Sequence, residues 1–129
     1  MAKWTSNTPA VLAALREGNR RGLLAAAMVY KNRVKRDLAG GYTSGDFVTG
    51  TSVNHVTNTL PIVTPAGGRI VVGTNLMYNL YWELGHHNLF TGHYERVRIW
   101  VPALVEERLA MLSAFAIQMQ ASLAAVPPL

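Results

Sequence analysis

The chain of 129 residues contains no cysteine. This absence excludes a disulfide framework, a zinc site built from thiolates and a cysteine nucleophile. The sequence also lacks the glycine-rich phosphate loop of the Walker type and the GxSxG turn that carries a catalytic serine. We therefore expect a protein that is not an enzyme and that needs no cofactor.

Charged residues are few, and long hydrophobic runs are missing. Charged side chains make up 15% of the chain and apolar ones 50%, whereas about a quarter of the residues of a typical soluble domain are charged. The apolar runs are too short to span a bilayer, and the first residues show no hydrophobic segment typical of a signal peptide. We expect one domain, residues 1–129 with short extended termini, soluble, made in the cytoplasm, and with buried interface beyond its own core.

The net charge of +5 is unevenly distributed. Residues 1–40 hold eight basic and two acidic residues, whereas the rest of the chain holds four basic and five acidic ones. The basic side chains can form a solvated face, contact an acidic neighbouring subunit or contact nucleic-acid phosphates, and no interleaved aromatic or glycine-rich element supports the last. The residues that would carry either contact are Arg20, Arg21, Lys31 and Lys35.

The same N-terminal segment predicts one long helix. Thr8-Pro9 is a typical helix start and Gly40-Gly41 the matching end, and apolar side chains recur between them at helical spacing. Gly18 and Gly22 each cost about 1 kcal/mol of helix propensity relative to alanine, so the helix can bend there. The expected apolar stripe consists of Leu12, Leu15, Leu23, Ala27, Tyr30, Val34 and Leu38.

The middle of the chain predicts hairpins. Residues 41–59 are rich in Gly, Ser, Thr and Asn, and residues 52–59 are typical of a strand with one polar side. Pro61 and Pro65 exclude a central strand, because proline cannot donate to a strand ladder. The turn at residues 66–68 therefore joins two strands of an antiparallel hairpin, the second of which continues from the turn to Val72.

A short helix is expected next, from about Asn75 to Leu84. Its apolar residues recur at i, i+3, i+4 and i+7, and Gly85 is positioned to end it. Glu83 lies in the last turn, where the helix dipole disfavours an acid, so we expect an arginine or a turn of backbone amides to bind its carboxylate. The apolar residues of this helix are Met77, Leu80, Tyr81 and Leu84.

One group of residues in the sequence could bind a metal or act in acid–base catalysis. It consists of Glu83, His86, His87 and His93. Zinc enzymes usually place two histidines four residues apart on a helix with a glutamate between them, whereas two of these histidines are adjacent. A loop or interface role, a metal site and a general acid–base role remain open. We favour the first, with no metal bound.

The C-terminal part of the chain predicts a strand followed by a helix. Residues 94–101 alternate, with Ile99 and Val101 on the core side and Trp100 on the other, where it is either covered within the subunit or exposed at a contact. Pro102 is expected to begin the last helix. No charged residue follows Arg108, so this helix is apolar on nearly all sides and is expected to pack on its own sheet and on a neighbouring subunit. An amphipathic membrane helix and aggregation are the other interpretations.

Together these elements predict an α+β domain. It consists of a long N-terminal helix, an antiparallel sheet of about four strands, a short middle helix and a C-terminal helix that begins near Pro102.

The order of the motifs also resembles a known family. VVGTN, then YxxYWELG, then a polar loop, then a short strand running into VPALVEE is similar to the tail-completion or neck proteins of long-tailed bacteriophages, and the match extends upstream through GGYTSGDFVTGTSVN. In that family a glycine-threonine turn leads into a tyrosine-bearing helix that ends in Glu-x-Gly, and a Pro-Ala pair opens the last helix. The family usually continues with a threonine and a proline-rich turn, where this chain has Gly85-His86-His87.

The resemblance implies a structural virion protein that forms a sixfold ring between the head connector and the tail tube. Its partners would be further copies of itself, the connector or head-closure protein, and the tail terminator or tail tube protein, with DNA only as cargo passing through the ring and no membrane. A tail terminator or minor tail protein, a small basic nucleic-acid-binding module and a small metal-dependent enzyme are the alternatives. The candidate subunit-interface residues are Arg20, Arg21, Lys31, Lys35, Tyr81, Trp82, Glu83, His86, His87 and Trp100.

Overall fold

The computed structural model describes residues 7–39, 54–64, 67–75, 83–87, 92–96 and 98–127. Within these ranges the chain is α+β, as its sequence predicts. The elements in chain order are helix α1 (Thr8–Ala39), strands β1 (Thr57–Asn58), β2 (Ile62–Thr64), β3 (Gly67–Arg69), β4 (Val72–Gly73), β5 (His86–His87) and β6 (Tyr94–Glu95), and helices α2 (Trp100–Glu106) and α3 (Arg108–Ala124).

Helix α1 has nearly the predicted boundaries. It is helical at every residue up to Ala39 and ends just before the Gly40-Gly41 pair. Its first backbone hydrogen bond runs from the Val11 N–H to the Asn7 carbonyl. Asn7 rather than Thr8 therefore occupies the N-cap position, and the helix begins one residue earlier than expected.

The core lies along the C-terminal half of α1. The predicted stripe is buried there, whereas its first two members, Leu12 and Leu15, are 55% and 39% exposed, because the hairpin packs further along the helix, near Leu23. Side chains from the segment before β1 and from the start of α2 complete the core. The core cluster is Tyr30, Val34, Leu38, Val56, Ile99 and Ala103.

The predicted central hairpin is present and carries a register shift. β2 pairs antiparallel with β3, and β1 with β4. Three residues separate Asn58 from Ile62, but only two separate their partners Val72 and Arg69, which is the geometry of a β-bulge. Pro61 lies in the longer segment, where a residue without an N–H donor is tolerated.

The expected single sheet of about four strands is replaced, in the described part of the chain, by three two-stranded antiparallel pairs. The bulge interrupts the central hairpin, so its two halves form separate ladders. The third pair joins β5 to β6 over two residue pairs, His86 with Glu95 and His87 with Tyr94.

The short middle helix falls mostly on residues 76–82, which lie outside the described ranges. Glu83 and Leu84, at its predicted end, are helical. Gly85 follows with φ of +90°, in the left-handed region that a helix-ending glycine adopts. The predicted end of this helix is therefore confirmed.

The C-terminal helix differs from the expectation in two ways. It begins at Trp100, two residues before Pro102, and Glu107 divides it into α2 and α3. Pro102 is thus the third residue of α2, where the backbone N–H would have no intrahelical partner in any case. Ile99 is buried as predicted, but Val101 is 42% exposed, because the helix turns it away from the core.

Candidate assembly surface

Two glycines set the distance between α1 and α3. A Cβ atom added at Gly22 would lie 2.5 Å from the ring of Phe115, and one added at Gly18 would lie 2.7 Å from the sulfur of Met119. These contacts run in opposite chain directions, so the two helices are antiparallel. The glycines, which the sequence marks as places for a bend, are therefore positions of close helix packing.

The face of α3 turned away from α1 is exposed and uncharged. Leu109, Leu112 and Ile117 are 71%, 59% and 61% exposed, and no described residue covers them. Contiguous apolar surface of this kind marks interaction sites on soluble proteins. As the sequence predicts, α3 is largely apolar on both sides, although Ser113 and Gln120 are among its exposed residues. Its own subunit covers one side, which packs mainly on α1 instead of on the predicted sheet. The partly or fully buried side consists of Met111, Ala114, Phe115, Gln118, Met119 and Ser122.

The carboxylate of Glu83 binds the start of α2. Its Oε2 accepts the N–H of Ile99 at 2.8 Å and that of Trp100 at 3.3 Å, and its Oε1 accepts the N–H of Val101 at 2.9 Å. Arg96 donates to the Glu83 backbone carbonyl at 3.0 Å. Of the two partners expected for this carboxylate, an arginine or backbone amides, the structure shows backbone amides. An acid that is disfavoured at the end of one helix is favoured at the start of another. Its side chain is buried within the subunit.

Trp100 packs inside the subunit. Its ring lies edge-on to Tyr30, with centroids 6.2 Å apart, and the Tyr30 hydroxyl donates to the Trp100 carbonyl at 2.7 Å. Burial, and then the negative charge of Glu83, raise the pKa of Tyr30 to about 12. Of the two interpretations of Trp100, the structure supports packing against its own core.

Arg33 joins α1 to the junction of α2 and α3. Its guanidinium donates to Asp37 at 2.8 Å, to Glu107 at 2.9 Å and also to Glu106. The hydrogen bonds that Arg33 donates to these carboxylates, the one to Asp37 first, raise the pKa of Arg33 above its ordinary value. No local pattern in the sequence indicates this role of Arg33, because two of its partners lie more than 70 residues away along the chain.

Arg20 and Arg21 share one acid on the exposed side of α1. Arg20 donates twice to the Glu17 carboxylate, at 2.6 and 3.0 Å, and Arg21 donates once, at 2.8 Å. The hydrogen bonds from Arg20 and then Arg21 lower the pKa of Glu17 to about 2. Both arginines are therefore paired within the subunit.

The two candidate lysines lie further along α1. Lys31 donates to the side-chain oxygen of Asn58 at 2.8 Å, which ties α1 to β1. Lys35 is partly buried. The basic charge of α1 is thus used partly for contacts within the fold.

Tyr94 contacts both sides of the turn after Leu84 in the histidine loop, which comprises the described residues 85–87 and 92–94. His86 and His87 lie on β5, and the ring of His87 is 5.3 Å from that of Tyr94. The Tyr94 hydroxyl donates to the Leu84 carbonyl at 2.6 Å, and it packs so closely on Gly85 that a Cβ there would overlap it. No group of three His, Asp or Glu side chains in the described part of the chain could hold a metal. Tyr81 and Trp82 lie outside the described residues.

A groove of about 370 Å³ lies between the start of α1 and the end of α3. Alanines line much of it, and the Ser122 side chain on its wall is buried with its hydroxyl unpaired. The acid in its lining, Glu17, is held by two arginines. The lining therefore offers no free base to activate the hydroxyl.

Comparisons of the chain with protein-family models, with curated proteins and with solved structures find no match. No helix within the described ranges is long and apolar enough to cross a bilayer. Among the described residues, the outward face of α3 combines exposed large apolar side chains with the absence of charge after Arg108.

Proposed function

We propose that this chain is a structural virion protein of a tailed bacteriophage, which forms an oligomeric ring in the neck that joins the head connector to the tail tube. The observation that carries the proposal is the outward face of α3, which is exposed and has no charge beyond Arg108. Burying a leucine or isoleucine side chain contributes about 1.5–3 kcal/mol. A face with several such residues therefore favours a subunit that works in an assembly.

The sequence motifs indicate which kind of assembly the subunit forms. The ordered set from VVGTN to VPALVEE resembles phage tail-completion proteins, and two of its members have a clear structural purpose here. Glu83 of the ELG motif binds the backbone at the start of α2, the helix that contains the Pro-Ala pair. Two of the motifs thus meet at the start of α2, the helix that precedes α3.

In this proposal different exposed regions contact different partners. The outward face of α3 contacts a neighbouring subunit. The outer side of the central hairpin, where Leu60, Ile62 and Val71 are 83%, 49% and 56% exposed, contacts a ring above or below, as does the histidine loop. The role is structural rather than catalytic, and the protein resides in the virion.

The test is electron microscopy of lysates from a phage or prophage that carries this gene, with the gene deleted and then restored. We expect filled heads beside unattached tails in the deletion, and joined particles when the gene is restored. Normal infectious particles without the gene would overturn the proposal.

The restored gene also allows the α3 face to be tested. Leu109→Lys places a charge on the outward face and is expected to abolish rescue. Met28→Lys is the matched control, because Met28 is an exposed apolar residue of α1, 52% exposed, and it should rescue fully. Equal rescue by both variants would show that α3 is not an assembly contact.

A further inference from the structure

We propose that a second copy of this chain covers the outward face of α3 by packing antiparallel along it, about a two-fold axis between Ala116 and Ile117. The pair is argued from α3 itself and holds whether or not the chain is a phage neck protein. A two-fold pair uses the same face on both copies, whereas a ring uses two different faces. The pair is therefore a state of the chain outside the ring. Its two copies must dissociate before α3 can contact a neighbouring subunit in a ring.

The outward face of α3 is complementary to itself when reversed. A helix turns by about 100° per residue, so the centre of the face opposite α1 consists of Leu109, Ser113, Ala116 and Gln120, all of which are exposed. In an antiparallel pair with the stated axis, Ser113 lies opposite Gln120, and Leu109 lies opposite Ala124. The polar side chains meet each other, and a large apolar side chain meets a small one.

Charge also favours the antiparallel arrangement. Arg108 is the first residue of α3, and the last turn of α3 contains no basic residue. An antiparallel pair brings Arg108 beside the partner's helix C-terminus, which carries partial negative charge. A parallel pair would bring the two Arg108 side chains together. The nearby acids do not oppose the pair, because Glu106 and Glu107 are both bound to Arg33.

The size of the contact sets the expected strength. A helix of 17 residues is about 25 Å long and about 10 Å wide. Contact along α3 alone is therefore smaller than the roughly 800 Å² per partner of a standard stable interface. The pair is expected to be reversible, with a dissociation constant in the micromolar range, which suits a state that opens on assembly.

Disulfide trapping tests the register, because the natural chain contains no cysteine. Ser113→Cys and Gln120→Cys are made as separate full-length proteins and are mixed under mild oxidation. We expect a cross-linked dimer in the mixture and little in either protein alone, because seven residues of helix, about 10 Å, separate each thiol from its own copy in the partner. Cross-linking of each variant with itself as fast as in the mixture would overturn the antiparallel register.

Sedimentation velocity tests the pair itself over a micromolar concentration series. Ala116→Lys puts two positive charges beside the axis and is expected to raise the dissociation constant at least about tenfold, whereas Met28→Lys should leave it unchanged. Circular dichroism checks that both variants fold. A natural chain that is monomeric at every concentration would overturn the proposal, as would a monomer that instead sediments with vesicles of anionic phospholipid.

Discussion

The carboxylate of Glu83 is held by the backbone of residues 99–101 rather than by a cationic side chain. The first N–H groups of a helix have no partner within it, and burial would leave them unpaired at a cost of about 1–3 kcal/mol each. A single carboxylate thus satisfies the start of α2. This contact also explains why α2 begins at Trp100, before the proline that the sequence marks as its start.

Replacement of Glu83 is expected to destabilise the fold in a graded way. Glu83→Ala should lower the free energy of unfolding by about 2–4 kcal/mol, because it removes every acceptor, and Glu83→Gln by about 1–2 kcal/mol, because one acceptor oxygen remains. Urea denaturation measures both values. Leu84→Ala is the control, since Leu84 is 61% exposed and should change stability little. Equal losses in all three variants would contradict the capping role.

The ionisation of Tyr30, a residue of the core, is expected to make the stability of the fold depend on pH. Its pKa is raised to about 12, mainly by burial, so folding favours its neutral form. The resulting stability is fully present below about pH 10, the ordinary pKa of tyrosine, and is lost as the pH rises toward 12. The direction follows because the folded chain holds the proton more tightly than the unfolded chain.

Tyr30→Phe is expected to remove this alkaline dependence. At neutral pH the variant should be less stable by about 1 kcal/mol, because the Trp100 carbonyl loses its hydrogen-bond donor. Between about pH 10 and 12 the natural chain should lose up to about 2 kcal/mol more than the variant. Urea denaturation at a series of pH values measures the difference. Parallel pH profiles for the two proteins would contradict the raised pKa of Tyr30.

At the scale of elements, the pairing of α1 with α3 depends on small residues. Gly18 and Gly22 are poor helix formers, yet both are buried in an unbroken helix. Their lack of a side chain lets Met119 and Phe115 pack directly on the α1 backbone. The loss of helix propensity is therefore offset by the close contact that the glycines permit.

Alanine at Gly22 is expected to destabilise the protein, although alanine raises helix propensity by about 1 kcal/mol. The new Cβ would lie 2.5 Å from the Phe115 ring, and such overpacking costs about 1–3 kcal/mol. Gly18→Ala should be milder, because the one atom within 3.0 Å of its Cβ is the sulfur of the flexible Met119 side chain, while Ser122 Cβ and Met119 Cα lie at 3.1 and 3.2 Å. Thermal denaturation ranks the variants. Combining Gly22→Ala with Phe115→Leu should recover part of the loss, and a stabilised Gly22→Ala would show that the helices do not pack closely.

At the scale of the whole molecule, the basic side chains are concentrated on α1, which also exposes apolar side chains such as Leu12 and Met28. The basic residues of α1 are largely engaged, since Arg20 and Arg21 bind Glu17 and Arg33 binds three acids. The chain beyond Arg108 has no charge at all. The affinity between molecules is therefore expected to come from the burial of apolar surface more than from charge, and so to vary little with salt concentration.

Binding of duplex DNA by the purified chain is expected to be weak and only slightly dependent on salt. The logarithm of the binding constant should fall with the logarithm of salt concentration with a slope of about −1 to −3, which corresponds to few phosphate contacts. Replacing Arg20 and Arg21 by glutamine should change this slope little, as should Arg98→Gln, the control at an exposed arginine outside α1. A slope of about −5 or steeper that is lost with Arg20 and Arg21 would favour the nucleic-acid-binding alternative.

Local sequence patterns predicted those helices and strands whose capping, turn and strand-forming residues lie close together in the chain. The boundaries of α1, the glycine that ends the helix at Leu84 and the antiparallel pairing of β2 with β3 follow from capping, backbone freedom and strand propensity. The predicted turn at residues 66–68 is placed too late, because Gly67 and Gly68 already belong to β3. The position of Glu83 in the last turn of a helix predicts that an arginine or backbone amides bind its carboxylate. It does not predict which of the two, or which backbone, because the donors at residues 99–101 belong to another element.

The sequence by itself determined helix α1, the hairpin of β2 and β3, the uneven charge and the apolar character of the last helix, since each depends on neighbours within a few residues. The tertiary structure decided which surfaces those segments cover. It placed Gly22 against Phe115, Arg33 against Glu107, and Trp100 against Tyr30, and it left one face of α3 exposed. The physical reason is that packing depends on which residues distant in the chain come together, and periodicity along the chain does not encode that choice.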